Sequence, residues 1–205
     1  MAVKLVTDST CDLPRELAEQ WGLTVIPCNV HFDDEVYKDG IDIGPDEFYR
    51  KLVASPRLPT TAQPSVNDFL QVYEPLRNEG HDVVSIHLSA KLSGTLNSAT
   101  QAREAIQSSG SGRIEIIDSR MASVGLGLVA LEAARMVRSG SSYDQVVEGV
   151  RSSLSQTHSY FLVDTLEYLQ KGGRIRIASA FLASLLNKKP LLMIKDGEAH
   201  PLERA

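Results

Sequence analysis

Two hydroxyl-rich stretches hold the side chains in this sequence best suited to grip an anion: Pro59-Thr60-Thr61-Ala62-Gln63-Pro64-Ser65 and Ser89-Ala90-Lys91-Leu92-Ser93-Gly94-Thr95. Hydroxyls and free backbone amides can donate to a carboxylate or phosphate without an adjacent base. Neither stretch carries a partner that would make a serine or threonine a nucleophile. The residue types therefore point to binding before catalysis.

The second stretch follows an apolar run that reads as a buried strand, and a helix is expected to start near Ser93 or Gly94. The first amides of a helix lack internal partners, and the macrodipole favours negative charge there. Gly94 lets a ligand approach the backbone, while Ser93 and Thr95 add hydroxyls. Ser-Gly-Thr is also ordinary capping chemistry. What favours a site is the first stretch, which sets Thr60, Thr61 and Gln63 between prolines just before another expected helix; rigid connection is its plainer role.

A third candidate is Leu166-Glu167-Tyr168-Leu169-Gln170-Lys171-Gly172-Gly173-Arg174-Ile175. Its glycines free the backbone, and the Arg174 guanidinium matches a carboxylate or phosphate. A helix stop with a solvated arginine fits those residues equally well. Asp8-Ser9-Thr10 follows the first strand and reads as an N-cap at the same edge as Ser93. Asp118-Ser119 lies at a further strand end, lining the same cleft or capping the next helix. His87 falls inside an apolar strand and reads as a satisfied core residue rather than a base.

These groups need a scaffold, and the pattern supplies one. Strands are expected at Val3–Thr7, Leu23–Val30, Val83–Leu88 and Ile114–Asp118. Between and after them come helices from Pro14 to Trp21, Glu47 to Ala54 with Asp46 as cap, Val66 to Glu79 behind a Ser65/Asp68 capping box, and from Ser93 to Ile106. Two more run over Ser123–Val137 and Tyr143–Ser155. Ser55 to Pro64 reads as a loop. Strands alternating with helices indicate βαβ units and a parallel sheet.

After about Gln156 the rhythm changes. A strand at Tyr160–Val163, short helices at Leu166–Leu169 and Ala178–Leu186, and a hairpin of Pro190–Lys195 and Glu198–Glu203 around Asp196-Gly197 are expected. The fold class is thus α/β: a parallel-sheet N-terminal domain over 1–157, then a second, incomplete α/β domain with an antiparallel hairpin over 158–205.

Composition narrows the function. Hydrophobic residues make up 42% and charged residues 23% of the 205, with a formal net charge of -5. Scattered Lys and Arg argue against nucleic acid, which demands a basic face. The start has no secretory pattern, and no stretch reaches the ~20 apolar residues of a membrane span. Cys11 and Cys28 read as reduced, structural thiols of a cytoplasmic protein, with no metal site around them. Phosphate-loop, dinucleotide and esterase-elbow patterns are missing, so nucleotide binding and acyl-enzyme chemistry have no positive support.

Taken together, Thr7-Asp8-Ser9-Thr10-Cys11-Asp12-Leu13-Pro14, the Pro59–Ser65 stretch, Leu92-Ser93-Gly94-Thr95, Asp118-Ser119, Leu169–Ile175 and Lys189-Pro190-Leu191-Leu192 resemble the DegV family of bacterial fatty-acid-binding proteins, in the family's order. The resemblance implies two α/β domains with a long-chain fatty acid such as palmitate, stearate or oleate between them, and no cofactor. It implies that Thr61 and Ser93 hold the carboxylate, with Thr60, Gly94 and Thr95 as neighbours and Arg174 near the head group or rim.

It further implies a carrier subunit rather than an enzyme, presenting the acid to a separate fatty acid kinase that forms the acyl-phosphate. Ala62 stands where many relatives have serine, removing one hydroxyl. Family members usually continue several tens of residues beyond this end, so the sequence resembles a C-terminally truncated member whose acyl tunnel is left open. The alternative class is an enzyme or binding protein for a small phosphorylated or carboxylated metabolite, since dihydroxyacetone-kinase-like proteins share a related architecture.

Overall fold

A strand buried at every position requires cover on both faces, and Asp82–His87 is such a strand. In the computed structural model, which describes residues 2–107, 110–175 and 189–202, this strand (β6) lies in a four-stranded parallel sheet. Its partners are β1 (Val3–Asp8), β2 (Leu23–Ile26) and β7 (Ile114–Asp118), in the order β2-β1-β6-β7. Alternate residues feed two separate cores. Leu5, Val84, Ile86 and Ile117 pack with Leu126, Val129, Ala130 and Val146 on helices α5 (Val124–Arg138) and α6 (Tyr143–Gln156), beside α1 (Arg15–Trp21). Val6, Val83 and Ile26 pack with Phe69 and Tyr73 of α3 (Val66–Asn78) and with Ala99 and Ala102 of α4 (Thr95–Ala105).

Local chemistry sets the helix ends where it was expected to. Ser65 and Asp68 form the reciprocal capping box of α3, and Ser142 with Gln145 does the same for α6. Gly22 closes α1 at φ +69, in the left-handed region that favours glycine. One cap differs: helix α2 (Pro45–Ala54) starts at Gly44 with Pro45 in its first turn, so Asp46 lies inside the helix rather than capping it.

The strand expected over Leu23–Val30 divides in two. Pro27 interrupts the ladder, and the Cys28 amide turns to the Ser9 hydroxyl at 3.0 Å. Asn29–Phe32 (β3) instead joins a small antiparallel sheet with β4 (Glu35–Lys38) and β5 (Thr60–Ala62), in the order β4-β3-β5. Thus Thr60–Ala62, expected as loop, is an edge strand, with Thr61 opposite Val30 and Thr60 opposite His31. Helix α2 covers this sheet through Phe48, which packs with Val30, Phe32, Tyr37 and Ile43.

A third sheet, β10-β9-β8, is antiparallel and joins β8 (Ser159–Leu162), β9 (Leu191–Lys195) and β10 (Glu198–Pro201). Asp196 and Gly197 both take positive φ, +51° and +82°, as a two-residue hairpin turn demands. The third strand gives the hairpin the partner that two strands lack. Phe161, Leu166, Ile175 and Leu192 pack together around helix α7 (Glu167–Lys171). The Ser89 hydroxyl donates to the Gly197 carbonyl at 2.7 Å, tying this sheet to the turn after β6. The helix expected over Ala178–Leu186 lies outside the described residues.

Candidate functional site

Parallel strands end together, so the loops leaving β1, β6 and β7 gather at one edge of the sheet, where open α/β folds collect ligands. A cavity of about 950 Å³ opens there. Thr10, Asp12, Leu88, Leu92, Ser93 and Gly94 line it from the main sheet, and Cys28, Val30, Thr61, Ala62 and Gln63 from the small sheet. Ser123, Val124 and Leu128 close it at the start of α5. His158, Tyr160, Phe161, Leu169, Arg174 and Ile194 add a third wall.

The main-sheet wall is held from below by Asp8. This carboxylate is fully buried. It accepts hydrogen bonds from the Thr10 amide at 3.1 Å and hydroxyl, from His87 Nδ1 at 2.9 Å and from the Leu88 amide at 3.2 Å. Burial alone would push its pKa up; the His87, Thr10 and Leu88 bonds outweigh that and hold it below the usual carboxylate value. His87 Nε2 meets Ser85 Oγ at 2.7 Å, and Ser85 Oγ meets Tyr73 Oη at 2.7 Å. One arrangement of protons satisfies the whole chain: Tyr73 donates to Ser85, Ser85 to Nε2, and Nδ1–H to Asp8.

The order serine–histidine–aspartate has the look of a catalytic relay. Yet Ser85, His87 and Asp8 are each 0% exposed, and none of them lines the cavity. The chain instead fixes the places where Thr10 and Leu88 leave the sheet. Asp8 therefore caps the turn as expected and does more besides, while His87 is the satisfied core histidine.

Ser93 sits just before α4. Its hydroxyl accepts from the Thr95 amide at 3.3 Å and lies 2.9 Å from the Thr95 hydroxyl. Thr61 reaches the cavity from the opposite wall, on β5. Gln63, just past β5, reaches across to α4, its amide against Gly94 and its Nε2 donating to Ser98 Oγ at 3.4 Å.

Of the six residues expected at the site, Thr61, Ser93, Gly94 and Arg174 line the cavity. Thr60 and Thr95 do not. Thr60 is exposed at the start of β5, outside the lining. Thr95 is buried beneath Ser93. Arg174 is exposed, and its guanidinium also donates to the Gly172 carbonyl. Ala62 contributes to the lining without a hydroxyl.

The sequence reading missed Asp12, Asp39 and Ser123. Ser123 holds φ +55° and ψ −142°, a strained conformation for a non-glycine residue, with its amide donating to the Thr10 carbonyl at 2.8 Å. Asp12 has its pKa raised, first by partial burial and then by the charges of Asp39 and Asp8, against an opposing hydrogen bond from Ser123. Only non-local packing brings these together, so no spacing along the chain announced them. Cys28 also lines the cavity, but burial raises its thiol pKa to about 12, and that of Cys11 to about 11, so neither is a ready nucleophile.

Among the described residues no group of three or more His, Cys, Asp or Glu could hold a metal ion. None of the described helices is long and apolar enough to cross a membrane.

These features define an α/β protein with a cleft at the carboxyl edge of a parallel sheet, walled by two smaller sheets. A family profile described as uncharacterised protein, DegV family, matches residues 2–205, and the chain belongs to that family. A DegV domain-containing protein of Caldanaerobacter subterraneus subsp. tengcongensis is 37% identical over 202 residues, covering 98% of this chain and 71% of the relative. The solved structure of a DegV family protein from Thermus thermophilus, described by its fatty acid binding, superposes with a TM-score of 0.90 at 40% identity over 100% of this chain and 72% of its own. A stearic-acid-binding protein from Eubacterium ventriosum gives 0.91 at 32% identity, over 99% and 70%. The chain thus spans roughly seven tenths of the length of each of these proteins.

Proposed function

We propose that this protein binds one long-chain fatty acid in the cavity, with the carboxylate between Thr61 and Ser93 and the hydrocarbon tail along the apolar walls. The observation that carries this reading is the meeting of two hydroxyl-bearing walls at a largely apolar cavity of about 950 Å³, in a fold shared with proteins described as fatty-acid binding. Each buried methylene contributes about 0.8 kcal/mol, so ten give roughly 8 kcal/mol. A neutral hydrogen bond adds only about 0.5–1.5 kcal/mol net. Affinity then comes from the tail and orientation from the head. The carboxylate must be paired, because burying it alone is far too costly. The α4 N-terminus beside Ser93 and the Arg174 guanidinium at the wall are both suited to negative charge.

In this reading the protein is a carrier rather than an enzyme, needs no cofactor, and works in the cytoplasm, where Cys11 and Cys28 stay as the free thiols seen here. It presents the head group to a separate kinase that phosphorylates the carboxylate. Its division falls near His158, between 1–157 with the parallel sheet and 158–205 with the antiparallel one. Solvent extraction and mass spectrometry of the purified protein should yield a stoichiometric long-chain fatty acid. Protein that stays empty after incubation with stearate would contradict the reading, and turnover of a small phosphorylated metabolite without added kinase would replace it with the enzyme alternative.

A further inference from the structure

Gly94 has φ −79°, an ordinary value that any residue adopts, so its backbone conformation gives no reason for a glycine. Its surroundings do. A Cβ placed there would lie 2.7 Å from Cδ of Gln63 and closer still to both heteroatoms of the Gln63 amide. The approach to this backbone, open to a ligand on the sequence alone, is already filled by a side chain of the same protein.

Gln63 follows directly on β5, which carries Thr61. That strand has three residues, all of them exposed, and among the described residues it pairs on one edge only, with β3. The small sheet therefore holds Thr61 weakly by itself. The Gln63 amide seated on Gly94, with its bond to Ser98 Oγ at 3.4 Å, joins the end of β5 to the first turn of α4. Ser93 immediately precedes that turn. One contact thus spans the two walls that carry the two hydroxyls.

We infer that Gln63 is the positioning residue that sets the spacing between Thr61 and Ser93, and that position 94 is glycine in order to seat it. This rests on the fatty-acid reading above and adds to it a determinant of head-group selectivity. A methyl at position 94 meets only the far end of a flexible side chain, so the fold should tolerate Gly94→Ala while the Gln63 amide is driven from its seat. Gly94→Ala and Gln63→Ala then damage the same contact, and two changes to one contact are not additive.

The test measures equilibrium binding of stearate and of methyl stearate to wild type, Gln63→Ala, Gly94→Ala and the double variant, with thermal unfolding of each. Each single variant should bind stearate about 3- to 10-fold more weakly, the double variant no more weakly than the weaker single one, and methyl stearate should bind all four alike. A general loss of structure would weaken acid and ester together. Gln63 is exposed, so its alanine variant decides the matter even if Gly94→Ala unfolds: wild-type stearate affinity in Gln63→Ala overturns the inference. So do losses that multiply in the double variant, the result expected if Gly94 is needed for the ligand itself. Wild-type protein that binds neither compound brings down the fatty-acid reading, whereas a wild type that binds stearate with multiplying losses brings down only the role of Gln63.

Discussion

Ser93 and Thr61 face one cavity from supports of different kinds. Ser93 stands at the carboxyl edge of a parallel sheet whose central strand is buried at all six positions and whose loops are tied down by the Asp8 carboxylate. Thr61 stands on a three-residue edge strand, exposed throughout, whose sheet packs on a cluster of only five apolar side chains. Burial and the hydrogen bonds gathered on Asp8 make the first wall stiff. Sparse packing leaves the second reliant on single contacts such as Gln63 on Gly94. A site assembled from one rigid and one lightly held wall can grip a head group and still adapt to its arrival.

The contrast breaks most visibly at the rigid wall. His87→Ala takes one hydrogen bond from the buried Asp8 carboxylate and leaves Ser85 without its acceptor, and should cost about 2–3 kcal/mol of stability, measured by urea denaturation. The same carboxylate sets an acid limit. Its folded pKa is depressed, so its contribution is present above the unfolded value of about 3.9 and is lost as the pH falls through the folded value. As the pH falls below about 4 the wild type should therefore lose stability more steeply than Asp8→Asn, and parallel curves there would show that Asp8 is not the group responsible.

A smaller and more telling pair lies at the site. Ser93→Ala removes the hydroxyl that accepts from the Thr95 amide and should cost about 1 kcal/mol of stability. Thr61→Ala, on an exposed strand, should stay within about 0.5 kcal/mol of wild type. Both should weaken stearate binding by about 2- to 10-fold, checked by calorimetry. Equal stability losses would erase the distinction between the walls.

The sequence disclosed the rigid wall more fully than the light one. Val83 to Leu88, the Ser65/Asp68 capping box and the Asp196-Gly197 turn are local signals, and local chemistry decides them. β5 is different. Its three residues pair with β3 some thirty positions earlier, and only that pairing turns Thr60–Ala62 from loop into strand. Pro27 split one expected strand in two because the Ser9 hydroxyl, distant in sequence, takes the Cys28 amide. Thr61 and Ser93 could be singled out by their residue types, whereas Asp12, Asp39 and Ser123 reach the cavity through packing that no periodicity records. Gln63 lay in plain view within its motif, but its role depends on what faces Gly94 across the cleft.

The most direct measurement is a crystal structure of the protein with stearate bound. One carboxylate should be held by both Thr61 Oγ1 and Ser93 Oγ at hydrogen-bond distances of about 2.5–3.0 Å, with the chain running along Leu88, Leu92 and Phe161. A carboxylate that touches only one of these hydroxyls, or a chain lying with its methyl end between them, would contradict it.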